Sequence, residues 1–203
     1  MRRKTMRFMP YTIEIRAKIT IFNFQLSTFN IILYFCAQNK AFCMEKYNIS
    51  CEVSIYQDNE LPQEDRELIE LAKGATGHSY SPYSHFQVGA ALRLADGTIV
   101  TGSNQENASY PLGLCAERTA IFHAQHTYPE QPITAIAIAA FANGHFYPEP
   151  ISPCGACRQV MLEVEDRYKQ PMRVLLYGSD GTHVVESVKD LLPFQFVGDS
   201  MQK

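Results

Sequence analysis

Three cysteines in two short segments constrain this chain more than anything else in it: Cys115-Ala116-Glu117-Arg118, and Pro153-Cys154-Gly155-Ala156-Cys157. Zinc that only holds a fold together usually takes four protein ligands, whereas catalytic zinc keeps three and leaves one position open. Cys154 and Cys157 are three residues apart, so on a helix they share a face and can share one metal. Cys115 comes from a separate segment, and any fold of this chain has to bring the two together. Glu117 is two residues beyond Cys115, and positions i and i+2 of a helix point in very different directions. It is therefore placed to reach the far side of the metal, where water would bind, and not to be a fourth ligand.

These residues resemble the signature of the zinc-dependent nucleoside deaminases, a [Cys/His]-Ala-Glu segment followed by Pro-Cys-x-x-Cys. The likeness runs from Ser81 to Phe196. It takes in Ser81-Pro82-Tyr83-Ser84-His85-Phe86-Gln87-Val88-Gly89-Ala90, Gly102-Ser103-Asn104-Gln105-Glu106-Asn107-Ala108-Ser109-Tyr110-Pro111 and Leu191-Leu192-Pro193-Phe194-Gln195-Phe196. Cysteine at the first ligand position, where relatives acting on polynucleotides and nucleotides usually carry His, is similar to the branch that acts on free cytidine. The resemblance implies one Zn2+ per chain on Cys115, Cys154 and Cys157, with Glu117 as proton shuttle and Arg118 offsetting the thiolate charge. It also implies that Phe86 packs on the pyrimidine, that Asn104 and Glu106 hold the sugar hydroxyls, and that the Ala116 N–H meets the base carbonyl. Tyr110 and Phe196 resemble residues that complete a neighbouring subunit's pocket, which implies a homotetramer.

Charge separates the chain into two parts. Residues 1–43 hold seven Lys or Arg against the single acid Glu14, so the remainder carries −9 within an overall net charge of −3. Phosphate neutralisation dominates nucleic-acid affinity, so an acidic body suits small uncharged substrates and disfavours a polynucleotide partner. Three of the six cysteines belong to the ligand pattern, and thiolates there require reducing conditions, which predicts a cytoplasmic protein. Cys36, Cys43 and Cys51 have no ligand spacing and read as free thiols. The six histidines fall in no ligand slot.

The first 43 residues are rich in Ile, Phe, Asn, Thr and Arg and contain neither Gly nor Asp. The apolar run 31–37 is too short to span a bilayer, and extending it backwards adds many polar residues. Three readings remain open: sequence upstream of a true start at Met44, a targeting leader, or a structural appendage. The domain proper is expected over 44–203.

Within it, 61–72 reads as a helix with Pro and acids in its first turn. Gln87–Leu94 and 98–103 read as strands around Asp96-Gly97. A helix is expected to begin near Cys115, and 133–141 reads as a strand buried on both faces. Ser152 is expected as N-cap with Pro153 at the first helical position of a helix running to about Arg167. Strands at 172–177 and Thr182–Val185 and a short helix at 188–192 complete the pattern. The class is α/β: layered α/β/α with a central mixed sheet and the metal site at helix N-termini.

The leading functional expectation is hydrolytic deamination of cytidine and deoxycytidine. A blasticidin S-type deaminase shares Cys-Ala-Glu, but the Asn104/Glu106 pair and the Phe196 tail favour the nucleoside enzyme. A purely structural zinc module predicts a fourth protein ligand, for which the sequence offers no candidate. A polynucleotide editor conflicts with the acidic body.

Overall fold

A computed structural model describes residues 46–201, and those from Ser50 onward form one compact unit. The break expected at Met44, the apolar run and Cys36 and Cys43 lie outside the described residues.

Among the described residues, three α-helices pack on a mixed sheet. The strands are β1 (Ser54–Tyr56), β2 (Gln87–Leu94), β3 (Ile99–Ser103), β4 (Ile133–Ala142), β5 (His145–Phe146), β6 (Arg173–Leu176) and β7 (Thr182–Val185). The helices are α1 (Gln63–Ala75), α2 (Ala116–Thr127) and α3 (Gly155–Tyr168). The sheet order is β1-β7-β6-β4-β2-β3, with β5 paired to β4. Only β4 and β6 pair in parallel among these strands, and α3 lies in the connection between them.

Strand β4 has the sequence Ile-Thr-Ala-Ile-Ala-Ile-Ala-Ala-Phe-Ala and is buried on both faces, as expected. Side chains of a strand alternate between faces, and here size alternates with them. Ala135, Ala137 and Ala139 face α1, packing with Leu68, Ile69 and Ala72. Ile136 and Ile138 belong to the opposite core, with Ala120 and Ile121 of α2 and Met161 and Leu162 of α3. The small row lets α1 lie close: a Cβ on Gly89 would meet the Ala72 carbonyl oxygen at 2.1 Å. On the other face a Cβ on Gly102 would meet the Ala120 nitrogen at 2.5 Å, so β3 and α2 touch backbone to backbone.

Arg93, Ala135 and Arg173 stand side by side across β2, β4 and β6. Over the small Ala135, the buried Asp65 of α1 accepts from Arg93 Nη2 at 3.2 Å and Arg173 Nε at 3.1 Å. This pins the start of α1 to the sheet.

Several boundaries differ from expectation. Helix α1 starts at Gln63, because Pro62 is its N-cap with ψ 148°, and it runs past 72 to Ala75. Helix α3 starts at Gly155, not Pro153: Cys154 is the N-cap in an extended conformation, φ −66° and ψ 165°. Ser152 is therefore not its cap. The Pro153 carbonyl instead accepts from Arg158 Nε at 2.8 Å. The closing helix is a 3₁₀ turn, Val188–Leu191. Strands β1 and β5 were not anticipated. The β4–β5 hairpin turns through Asn143 and Gly144, with φ 54° and 83°, an Asn-Gly signal the sequence does carry. Among the described residues no helix is long and apolar enough to cross a membrane.

Candidate active site

Topology brings the cysteine segments together. Strand β2 is antiparallel to both β3 and β4, so β3 and β4 run in the same direction. Helices α2 and α3 follow these strands in the chain, and both begin at one end of the sheet, where α/β folds place their ligands. Cys115 is the N-cap of α2 and Cys154 the N-cap of α3, with Cys157 one turn on.

The three sulfurs lie within 4.8 Å of one another. Cys115 Sγ is 3.8 Å from Cys154 Sγ, which is 3.5 Å from Cys157 Sγ. Tetrahedral zinc with Zn–S bonds near 2.3 Å requires sulfurs about 3.8 Å apart, so the donor set fits that metal. Among the described residues all four cysteines are free thiols, Cys51 included. Glu117 is not part of the sulfur cluster, although it lines the same cavity.

Two helix N-termini converge on the sulfurs, and their unpaired N–H groups favour negative charge. Arg118 Nη2 donates to Cys115 Sγ at 3.7 Å and to the Gly113 carbonyl at 3.3 Å. Its buried Nε has no hydrogen-bond partner among the described residues, a cost offset only by nearby negative charge. A hydrogen bond from Cys157 and then the Arg118 contact hold the Cys115 thiol down at about 5, against burial. The neighbouring Cys115, and then burial, push the Cys157 thiol up. Burial also pushes the Glu117 carboxyl up, offset in part by its own backbone N–H.

A cavity of about 670 Å³ opens over Cys115, Cys154 and Glu117. Its walls include Phe86, Asn104, Glu106 and Tyr110, which the sequence had singled out. Phe86 makes an edge-on contact with Tyr147, ring centroids 5.3 Å apart. Asn104 and Glu106 follow β3 and hydrogen-bond to the 79–88 segment that carries Phe86. Tyr110, 76% exposed, stands at the rim edge-on to Tyr83. The Ala116 side chain is buried at the first position of α2, where its N–H has no partner within the helix. Phe196 is 57% exposed and does not line this cavity; its carbonyl accepts from Gln159 at 2.8 Å. Sequence reasoning passed over Tyr83, Ser84, Leu114 and Ile138, which also line it. The first two sit inside the Ser81–Ala90 run already picked out, so the available signal was position in that run.

Known proteins resemble the chain across the segment that carries these cysteines. The family model for the cytidine and deoxycytidylate deaminase zinc-binding region matches residues 62–169. The chain is 43% identical to the cytidine deaminase of Halalkalibacterium halodurans over 136 residues, 67% of this chain and 93% of that protein. It is also 43% identical to the cytidine deaminase of Sporosarcina psychrophila over 129 residues, 64% of this chain and 88% of that one. Among solved structures, the cytidine deaminase from Burkholderia pseudomallei superposes with a TM-score of 0.55 at 47% identity, covering 64% of this chain and 97% of that one.

Proposed function

The chain belongs to the cytidine and deoxycytidylate deaminase family, and from that premise we propose that it hydrolyses cytidine and deoxycytidine to uridine and deoxyuridine, in pyrimidine salvage. The observation that carries the reading is the three-sulfur cluster, two of whose cysteines line one cavity together with the buried Glu117 carboxylate. Cys115, Cys154 and Cys157 would hold one zinc per chain. Bound there, zinc would supply the Lewis acidity that activates the attacking water near neutral pH.

The remaining steps belong to the protein. Glu117 takes the proton from the attacking water, delivers it to ring N3 as C4 is attacked, and then assists departure of ammonia. Its burial suits this work, since a raised carboxyl both accepts and returns a proton readily. Arg118 offsets thiolate charge. Phe86 packs on the base, Asn104 and Glu106 hold the sugar, and the unpaired Ala116 N–H meets the base carbonyl. The exposed aromatics Tyr110 and Phe196 support a homotetramer whose subunits complete one another's pockets. The free thiols support a reducing, cytoplasmic location.

The test is ammonia release by zinc-loaded protein offered cytidine, cytidine monophosphate or a cytosine-containing oligonucleotide at equal concentration. Only the nucleoside should be turned over. The −9 charge of residues 44–203 and the Glu106 carboxylate oppose a 5′-phosphate. Efficient deamination of either phosphorylated substrate moves the chain to another branch of the family.

A further inference from the structure

Glu106 is held by a single turn of chain. The Tyr83 and Ser84 N–H groups donate to its Oε2 at 2.9 and 3.3 Å, and the Ser84 hydroxyl donates to Oε1 at 2.5 Å. That hydroxyl in turn accepts from the Phe86 N–H at 3.1 Å. Between them His85 has φ 55°, a left-handed conformation that a non-glycine residue keeps only when its surroundings hold it. An ionised carboxylate offers about four acceptor positions. The turn fills three and leaves one on Oε1, the oxygen that Ser84 shares. The Ser84 hydroxyl is also the largest of the influences that keep the Glu106 carboxyl below the usual carboxylate range.

Asn104 is closed in the same manner. Its Oδ1 accepts from the Val88 N–H at 2.8 Å and the Ser79 hydroxyl at 2.5 Å, and its Nδ2 donates to the Phe86 carbonyl at 2.9 Å. Neither side chain is free to swing toward a ligand. What each can offer is decided by the partners it already has.

We propose that Ser84 is a positioning residue for nucleoside recognition: its hydroxyl fixes the Glu106 carboxylate so that the one remaining acceptor position on Oε1 meets the sugar. This rests on the assignment of Glu106 to sugar binding. Ser84→Ala keeps both backbone N–H bonds to Oε2, so the carboxylate stays in place but its other oxygen loses its tether. The exposed, loop-borne Ser84 contributes little to the core, so the variant should fold normally.

The experiment compares wild type, Ser84→Ala, Ser84→Thr, Glu106→Gln and the Ser84→Ala/Glu106→Gln double variant. The readouts are KM and kcat for cytidine and the inhibition constant of 2′,3′-dideoxycytidine, with melting temperature as a check on folding. Ser84→Ala should raise KM for cytidine about tenfold, the loss expected for one hydrogen bond to a charged group, while kcat stays within about twofold. Ser84→Thr, which keeps the hydroxyl, should behave as wild type. Binding of the dideoxy analogue should be unaffected, and the double variant should be no worse than Glu106→Gln alone. An equal penalty on cytidine and the analogue would mean that Ser84 acts through Phe86 or the loop, and that overturns the proposal. So would an unchanged KM in Ser84→Ala while Glu106→Gln discriminates the two ligands. If Glu106→Gln itself fails to discriminate them, the sugar assignment falls, and the role of Ser84 falls with it.

Discussion

Glu117 is 4% exposed and yet lines the cavity over the sulfur cluster, a combination that separates it from an ordinary first-turn acid. Glu117→Ala should leave zinc content and melting temperature near wild type while turnover falls at least 10²–10⁴-fold, roughly the range for losing a positioned proton-transfer group. Loss of zinc from this variant would make the carboxylate a ligand instead. Arg118→Gln should lower metal affinity or turnover by about 10–100-fold, the usual range for residues that orient or balance metal ligands. Its melting temperature should barely move. Unchanged turnover together with unchanged metal affinity in that variant would reduce Arg118 to a helix charge. The cysteines and Glu117 were legible because their chemistry depends on spacing along a few residues. The partners of Glu106 were not: Ser84 is 22 residues away, and only the folded chain brings its hydroxyl to the carboxylate. The sequence also left open how Asn104 spends its hydrogen bonds.

At the level of elements, the site depends on where α2 lies over β3. Gly102 permits that approach, since an added Cβ would strike the backbone of Ala120 and Ala116, which cannot rotate away. Gly102→Ala should cost about 1–3 kcal/mol in stability, as overpacking does. It should also loosen zinc, because α2 carries Cys115 at its start; urea denaturation and zinc loss to a chelator measure the two effects. A variant as stable and as zinc-retentive as wild type would show that the contact relaxes freely. Long elements were readable from periodicity and turn chemistry: Gln87–Leu94 and Thr182–Val185 have the bounds the pattern suggests. Short ones were not, because β1 has three residues and β5 two, too few to show a period. The start of α3 was misplaced for a physical reason. Ser152-Pro153 is a good helix opening in isolation, but Arg158 holds the Pro153 carbonyl and the helix opens two residues later, at Gly155.

For the molecule as a whole, every residue assigned to the site lies beyond Met44. A protein beginning there should match the full chain in melting temperature and in cytidine turnover; lost solubility or activity would give residues 1–43 a structural part. The α/β class and the layered arrangement could be read from alternating helical and strand patterns, whereas the strand order could not, since it depends on pairings distant in sequence. That order has a consequence in time. Cys115 and Cys154 are 39 residues apart, and between them lie α2 and the whole of β4, the strand that pairs with β2, β5 and β6. Closing so long a loop is slow, and the sulfurs have no reason to meet until β4 is seated and α3 has begun. Until then the chain holds its thiol donors in two separate segments, and the three-sulfur set is not assembled. On the proposed zinc role, the ion would meet a sulfur triangle whose geometry the sheet has already set.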